Sequence, residues 1–425
     1  MDDHALRYAL ANELHARPFP SIKAPGRAVH LAIKQPSLAA VRDRDLDRAH
    51  LIDLLDRFGA QHPSPGATHY FGEIGKHRLK WESHTEFVTY TLFSDGVSAR
   101  PFDPAAFEAF PRDWLDRAPG ARVTSMLIRI EEMDMADAGV IDGRVRDWFV
   151  AESVAVSKVV DGAAVIAGDF RIDTNGHMRM ALFVAPGTGP DRVGRIVQRL
   201  TEIETYKSMS MLGLAMARDI SVDMNAIETS LSQLVGDMGS DGSSPEATLT
   251  ALLDIAARLE TLSTRSNFRF GATGAYEALI EQRVGALRES RFEGRQTFGE
   301  FMMRRFDPAM RTVKSAERRL AQMTVRATRA GDLLRTRVDV ERSAQNQRLL
   351  ESMDRRAHLQ LRLQETVEGL SVVAISYYAI NLAHYLLEPI GEAIGLDKPV
   401  TMALVTPPVI LAVWYMVHRI RKSME

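Results

Sequence analysis

The chain of 425 residues contains no cysteine, which excludes disulfides, thiolate zinc sites, iron–sulfur ligation and thiol nucleophiles and suits a reducing compartment. It also has almost no net charge. With 53 basic residues against 55 acidic ones the formal charge is -2, which excludes a globally basic nucleic-acid binder and a highly acidic buffer. The opening MDDHALRYALANELHARP has no basic segment followed by an apolar run, so no signal peptide is expected there. No GxxxxGK(S/T) cradle, HExxH, GxSxG elbow or Asp-rich EF-hand loop occurs, and neither nucleotide nor nucleic acid is an expected partner. What is present is 45% apolar and 25% charged residues, enough for two or three domains with a core in each.

The most apolar material lies at the C-terminal end. Val367 to Leu387 and Val400 to His418 are runs of 21 and 19 residues, each reaching roughly 30 Å as a helix, the thickness of a bilayer core. Two transmembrane helices are predicted, with a buried hairpin of a soluble domain as the less fitting alternative. The connection holds Glu388, Glu392 and Asp397 against Lys398 alone, whereas Arg362 precedes the first span and Arg419, Arg421 and Lys422 follow the second. The positive-inside rule then places both ends in the cytoplasm, with a basic tail over 419–425. Pro407 and Pro408 fall in mid-span, where freed carbonyls need neighbours. Tyr377, Asn381, His384 and Glu388 are spaced four, three and four along one face of the first span. They read either as hydrogen-bonding glue between membrane helices, the preferred account, or as the lining of a cation path with an acidic mouth.

Upstream, 307–366 reads as a long stalk helix. Val313, Ala316, Leu320, Met323, Ala327, Ala330 and Leu334 form a heptad seam that weakens over ERSAQNQR and resumes at Leu349, Leu350, Met353 and Ala357. Residues 191–306 form a helical region, opened by the stripe Val193, Ile196, Val197, Leu200 and Ile203 and interrupted by the glycine- and serine-rich break 236–245. The first 190 residues carry eight alternating or β-branched runs: 28–34, 68–74, 76–81, 85–93, 122–130, 153–160, 163–172 and 177–184. Their close spacing leaves little room for crossover helices, so the sheet should be mainly antiparallel, with one helix over 38–58 packed on it. The predicted fold is an α+β cytoplasmic head, a helical middle with a long stalk, and a C-terminal two-helix hairpin over 367–418.

Three polar clusters of the head could carry chemistry. Glu13, His15 and Arg17 precede a proline and could bind an anion or pair internally. Glu82, His84 and Glu86, beside Trp81, are spaced by two and share one face if the segment is extended, where they could hold a divalent cation or run acid–base work. Asp169 and Arg171, followed by Asp173, end an apolar strand, with Glu202, Glu204 and Tyr206 on the next helix. None of the spacings is diagnostic, and a salt-bridged network that fixes the fold is the preferred account of each.

ANELHARPFP, LKWESHTEFVTYT, GDFRID, GRIVQRLTEIETYKSMSMLGLA and VEGLSVVAISYYAI, in that order, resemble the motif blocks of a proteobacterial membrane-anchored family, domain of unknown function 3422. The resemblance spans nearly the whole chain. It implies a bacterial inner-membrane protein, brings no activity, and points to Glu13, His15, Arg17, Trp81, Glu82, His84, Glu86, Asp169 and Arg171. The layout is also similar to CorA-type divalent-cation channels, but Gly-Met-Asn is absent and Ala379-Ile380-Asn381 inside the span is the nearest tripeptide. The leading expectation is a membrane-anchored, homo-oligomeric scaffold or sensor that contacts the lipid bilayer. A CorA-like transporter and a metal-dependent enzyme using His84 with Glu82 and Glu86 are the alternatives, and the residues name no reaction.

Overall fold

The computed structural model describes residues 3–8, 11, 19–36, 42–238, 244–395 and 397–424. The chain divides into two compact units, residues 1–241 with 250–330, and residues 242–249 with 331–425.

The first unit is built on a mixed sheet of β1 Gly26–Lys34, β2 His69–Ile74, β3 His77–Ser83, β4 Val88–Asp95, β5 Ala121–Glu132, β6 Ala155–Val159, β7 Ala164–Ile172, β8 Met178–Val184 and β9 Ser290–Arg291. The order across the sheet is β2-β3-β4-β1-β5-β8-β7-β6-β9. All eight predicted strands form, and antiparallel pairing dominates as expected. The exception is β5 with β8, which run parallel because β6 and β7 form outside β8 before the chain returns to β5. The two residues of β9, too short to carry an alternation, pair with Ser157 and Lys158 and complete the far edge from within the helical region.

One face of the sheet is covered by α1 Arg44–Arg57, a 3₁₀ turn Pro104–Ala109, α2 Arg112–Asp116 and α3 Ala138–Trp148. The first of these starts where Asp43 Oδ1 accepts from the backbone N–H of Asp45 and Leu46 at 2.9 and 3.2 Å, a side-chain N-cap. Its Leu51, Leu54 and Leu55 then face Leu31, Trp81, Tyr90 and Leu92 in one buried cluster. The other face is crossed by α4 Pro190–Asp237, whose Val193, Ile196, Val197, Leu200 and Ile203 are buried as the stripe predicted. A Cβ at Gly194 would lie 1.5 Å from the Pro20 carbonyl, so this position needs glycine for the chain entering β1 to rest on the helix. At Gly213 a Cβ would meet Thr273 Oγ1 at 2.2 Å, which marks the close crossing of α4 with α5 Pro245–Leu287.

After α5 comes α6, Phe298–Ile394, a single helix of 97 residues, and then α7 Lys398–Met424. The heptad seam is buried at Val313, Leu320, Met323, Ala327 and Ala330 inside the first unit. Lys314 reaches Glu277 of α5 at 2.7 Å and Arg319 Nε reaches Glu228 of α4 at 2.9 Å, so α4 and α5 flank this part of the seam. In the second unit, the end of α6 and α7 are each long and apolar enough to cross a membrane by length and composition. The second of them continues as helix through Pro407 and Pro408.

Candidate functional site

Under α4 the sheet is polar at the β3-β4-β1 end. The register sets Lys80, Thr91 and His30 side by side on three strands. By alternation, their neighbours Trp81, Tyr90 and Leu31 point into the apolar cluster on the other face. From above, α4 lowers Gln198, Thr201, Glu202, Thr205 and Tyr206, whose spacing of three and four makes one helical face. Between these layers lies a narrow, half-enclosed cleft.

His30 sits at its floor, almost fully buried. Thr205 Oγ1 gives its proton to the Thr201 carbonyl at 2.8 Å and therefore accepts from His30 Nε2, also at 2.8 Å. Nδ1 is then the acceptor for Thr91 Oγ1 at 2.8 Å, and the ring is a neutral Nε2–H tautomer. Burial first, and then the facing His84 and Lys80, push its pKa down to about 3. Beside it runs a continuous chain of charge-assisted bonds. Lys80 Nζ donates to Gln198 Oε1 at 3.0 Å and lies 3.3 Å from Glu82; Gln198 Nε2 donates to Glu202 at 2.8 Å; Glu202 pairs with Arg283 of α5. Two cations and two carboxylates balance along this chain of bonds, with Arg283 behind the lining Glu202.

The expected alignment of Glu82, His84 and Glu86 on one strand face does not occur, because β3 stops at Ser83 and β4 begins only at Val88. Between them His84 N–H donates to the Phe87 carbonyl at 2.9 Å and the chain reverses. Glu82 stays at the cleft with Lys80, whereas the buried Glu86 carboxylate accepts from Arg269 Nη1 at 3.0 Å and from the Tyr276 hydroxyl at 2.8 Å, both on α5. Burial and the Glu86 charge push the Tyr276 phenol up. His84 stacks on Phe87 at 4.4 Å and meets Tyr206 edge-on, and both residues also line a second, open groove bordered by Arg44 and Tyr276. Among the described residues no three His, Asp or Glu side chains gather as a metal site. Trp81 belongs to the apolar cluster.

Asp169 is fully buried, accepting from Val150 N–H at 3.2 Å and pairing with Arg179 at 2.8 Å, while Arg171 Nε donates to Ser153 Oγ at 2.9 Å. These contacts tie the end of β7 to its surroundings and open onto no cleft residue. Glu13, His15 and Arg17 lie outside the described residues.

With this geometry in view, the whole chain can be placed: a family model described as Protein of unknown function (DUF3422) matches residues 2–424. The chain belongs to this family. No curated protein matches it.

In the hairpin the four stripe residues have separate environments. Tyr377 is exposed, Asn381 Nδ2 donates to the Tyr377 carbonyl at 3.0 Å, His384 is buried, and Glu388 pairs with Lys398 at 2.7 Å. The residues that the sequence reading passed over are His30, Lys80, Gln198, Thr201 and Thr205. The available signal was alternation in β3 and β4, where Arg78, Lys80 and Glu82, and then Thr89 and Thr91, are polar at every second position; His30 stands alone in β1 and carried no such signal.

Proposed function

We propose that this protein is a membrane-anchored sensor whose cleft between the sheet and α4 takes a small polar ligand of zero net charge. The buried polar layer carries this reading. A helix-on-sheet interface gains its stability from apolar burial, and replacing that with ion pairs and threonines is a costly arrangement that binding sites use. Lys80 beside Glu82 in the wall, and Arg283 behind Glu202, balance the lining carboxylates, which favours a zwitterion or a neutral polyol over an ion, and Phe87 and Tyr206 offer an apolar flank. The anchor is the pair of apolar helices at the end of α6 and in α7. Glu388, the acid at the outer end of the stripe, pairs with Lys398, which favours the gluing account over a cation path.

Thermal melts of the full chain in detergent with free amino acids and polyols, against acetate and methylamine, test the cleft. A stabilisation by one of the neutral ligands that Lys80→Met abolishes is expected. Stabilisation by the ions alone, or by none, overturns the reading. The anchor is tested by single cysteines at positions 391 and 423 in the cysteine-free chain: an impermeant reagent should label only the first from outside, and equal labelling or release by alkaline carbonate overturns it.

A further inference from the structure

Within the second unit, α6 is bare between its ion pair with α5, Arg342 with Glu246 at 3.2 Å, and the apolar span. Every residue from 342 to 367 is exposed, including Leu349, Leu350, Met353, Leu359, Leu361 and Leu363. Four of the exposed apolar residues share a row, while Leu349, Leu359 and Leu363 lie off it. At 3.6 residues per turn Asn346, Leu350, Met353, Ala357, Leu361 and Gln364 fall in one row, with steps of four, three, four, four and three. The row contains no charge. Glu351, Arg355, His358 and Arg362, spaced four, three and four, form the opposite row.

We infer that the row from Asn346 to Gln364 is a contact surface for the same row of a second copy of this chain, parallel and in register. Three observations favour a second copy. The apolar part of the row, Leu350 to Leu361, extends over 12 residues, roughly 17 Å of helix, and all of it is exposed. Its neutral composition lets identical rows face each other with no like charges opposed, while the charged row stays in solvent. Finally, α6 continues directly into the first apolar span, so copies held in one bilayer present this row at the same height and in the same direction. This last step rests on the anchored reading above. Asn346 and Gln364 facing their own copies would favour the aligned register over slipped ones.

The lack of cysteine makes the test direct. Met353→Cys and Glu351→Cys, two residues apart on opposite rows, are introduced singly into the full chain in phosphatidylcholine vesicles and oxidised. Because a disulfide needs Cα atoms within about 7 Å, at least about tenfold more covalent dimer is expected at 353 than at 351. Equal cross-linking at both, or none at 353, overturns the pairing. So does loss of the dimer with burial of a fluorophore at 353 in lipid, which would make the bilayer surface the occupant. Carbonate extraction of the same vesicles reads the anchor separately. A chain that is released and still cross-links at 353 keeps the pairing and loses the anchor; a chain that is retained and does not cross-link does the reverse.

Discussion

The two faces of the sheet are made by the same strands and are stabilised by opposite means. Toward α1 and α2, Leu31, Leu79, Trp81, Tyr90 and Leu92 bury apolar area. This term scales at about 25 cal/mol per Å² and depends little on any one partner. Toward α4, His30, Lys80 and Thr124 instead exchange hydrogen bonds with Thr205, Gln198 and Glu204, and Thr91 bonds His30 from within the sheet. Each of those bonds contributes only about 1 kcal/mol net, but an orphaned partner loses much more. An alternating strand keeps the two roles apart, because adjacent residues never point the same way. The apolar face can therefore hold the fold while the polar face remains available for recognition.

That contrast is broken most severely from the apolar side. Trp114 is fully buried, stacks on His50 at 3.9 Å and on Phe110 at 5.4 Å, and donates Nε1–H to the His50 carbonyl at 2.8 Å. Trp114→Ala should fall toward the upper end of ~3–5 kcal/mol of lost stability, measured by urea unfolding, since the cavity cannot be refilled from a rigid sheet. A loss below ~1 kcal/mol would mean that this face does not hold the fold.

Next in size is the polar pair at the β3–β4 turn. Arg269→Met leaves the buried Glu86 carboxylate with the Tyr276 hydroxyl as its remaining described hydrogen-bond donor and Lys34 as a nearby cation, and should cost about 3 kcal/mol. Adding Glu86→Leu should return most of that loss, because removing both partners avoids an uncompensated charge. Additive losses in the double variant would show that the pair stabilises in its own right and that the two faces differ less than argued.

The difference between the faces also explains what could be read from the sequence. Strand alternation is local, so eight of the strands and the stripe of α4 were legible; a helix as short as Arg112–Asp116 and a strand as short as Ser290–Arg291 span too few residues to show a period. The site was half legible. Glu82, His84, Glu86 and Tyr206 stood out by residue type, but their roles depend on partners far along the chain, such as Arg269 for Glu86 across 183 residues. An assumed extended strand hid the reversal at 84–87 that sends the two glutamates apart. His30 was missed because a lone histidine in AVHLAIK reads as core, and only the register beside Thr91 and Lys80 shows the polar row.

The mildest perturbation is pH, and it isolates that histidine. A folded value of about 3 against an ordinary 6.5 means that unfolded chains take up the proton first as pH falls. The stability contributed by neutral His30 is therefore complete above pH 6.5 and is lost as pH drops from 6.5 toward 3, by up to ~1.4 kcal/mol per pH unit. Burial lowers His50, His77 and His177 as well, with the same sign, so wild type alone gives a composite slope. His30→Gln can keep the bonds to Thr91 and Thr205 without titrating, and subtracting its profile leaves the His30 contribution. Between pH 7.5 and pH 5, urea unfolding followed by tryptophan fluorescence should show wild type losing roughly 2 kcal/mol more than the variant. Equal losses would mean that His30 titrates alike in the folded and unfolded chain, and a smaller loss in wild type than in the variant would mean that the folded chain holds it protonated, with Thr91 and Thr205 both accepting. The row beneath α4 would then carry a net positive charge, and the cleft would favour an anion over the neutral ligand that its balanced wall otherwise selects.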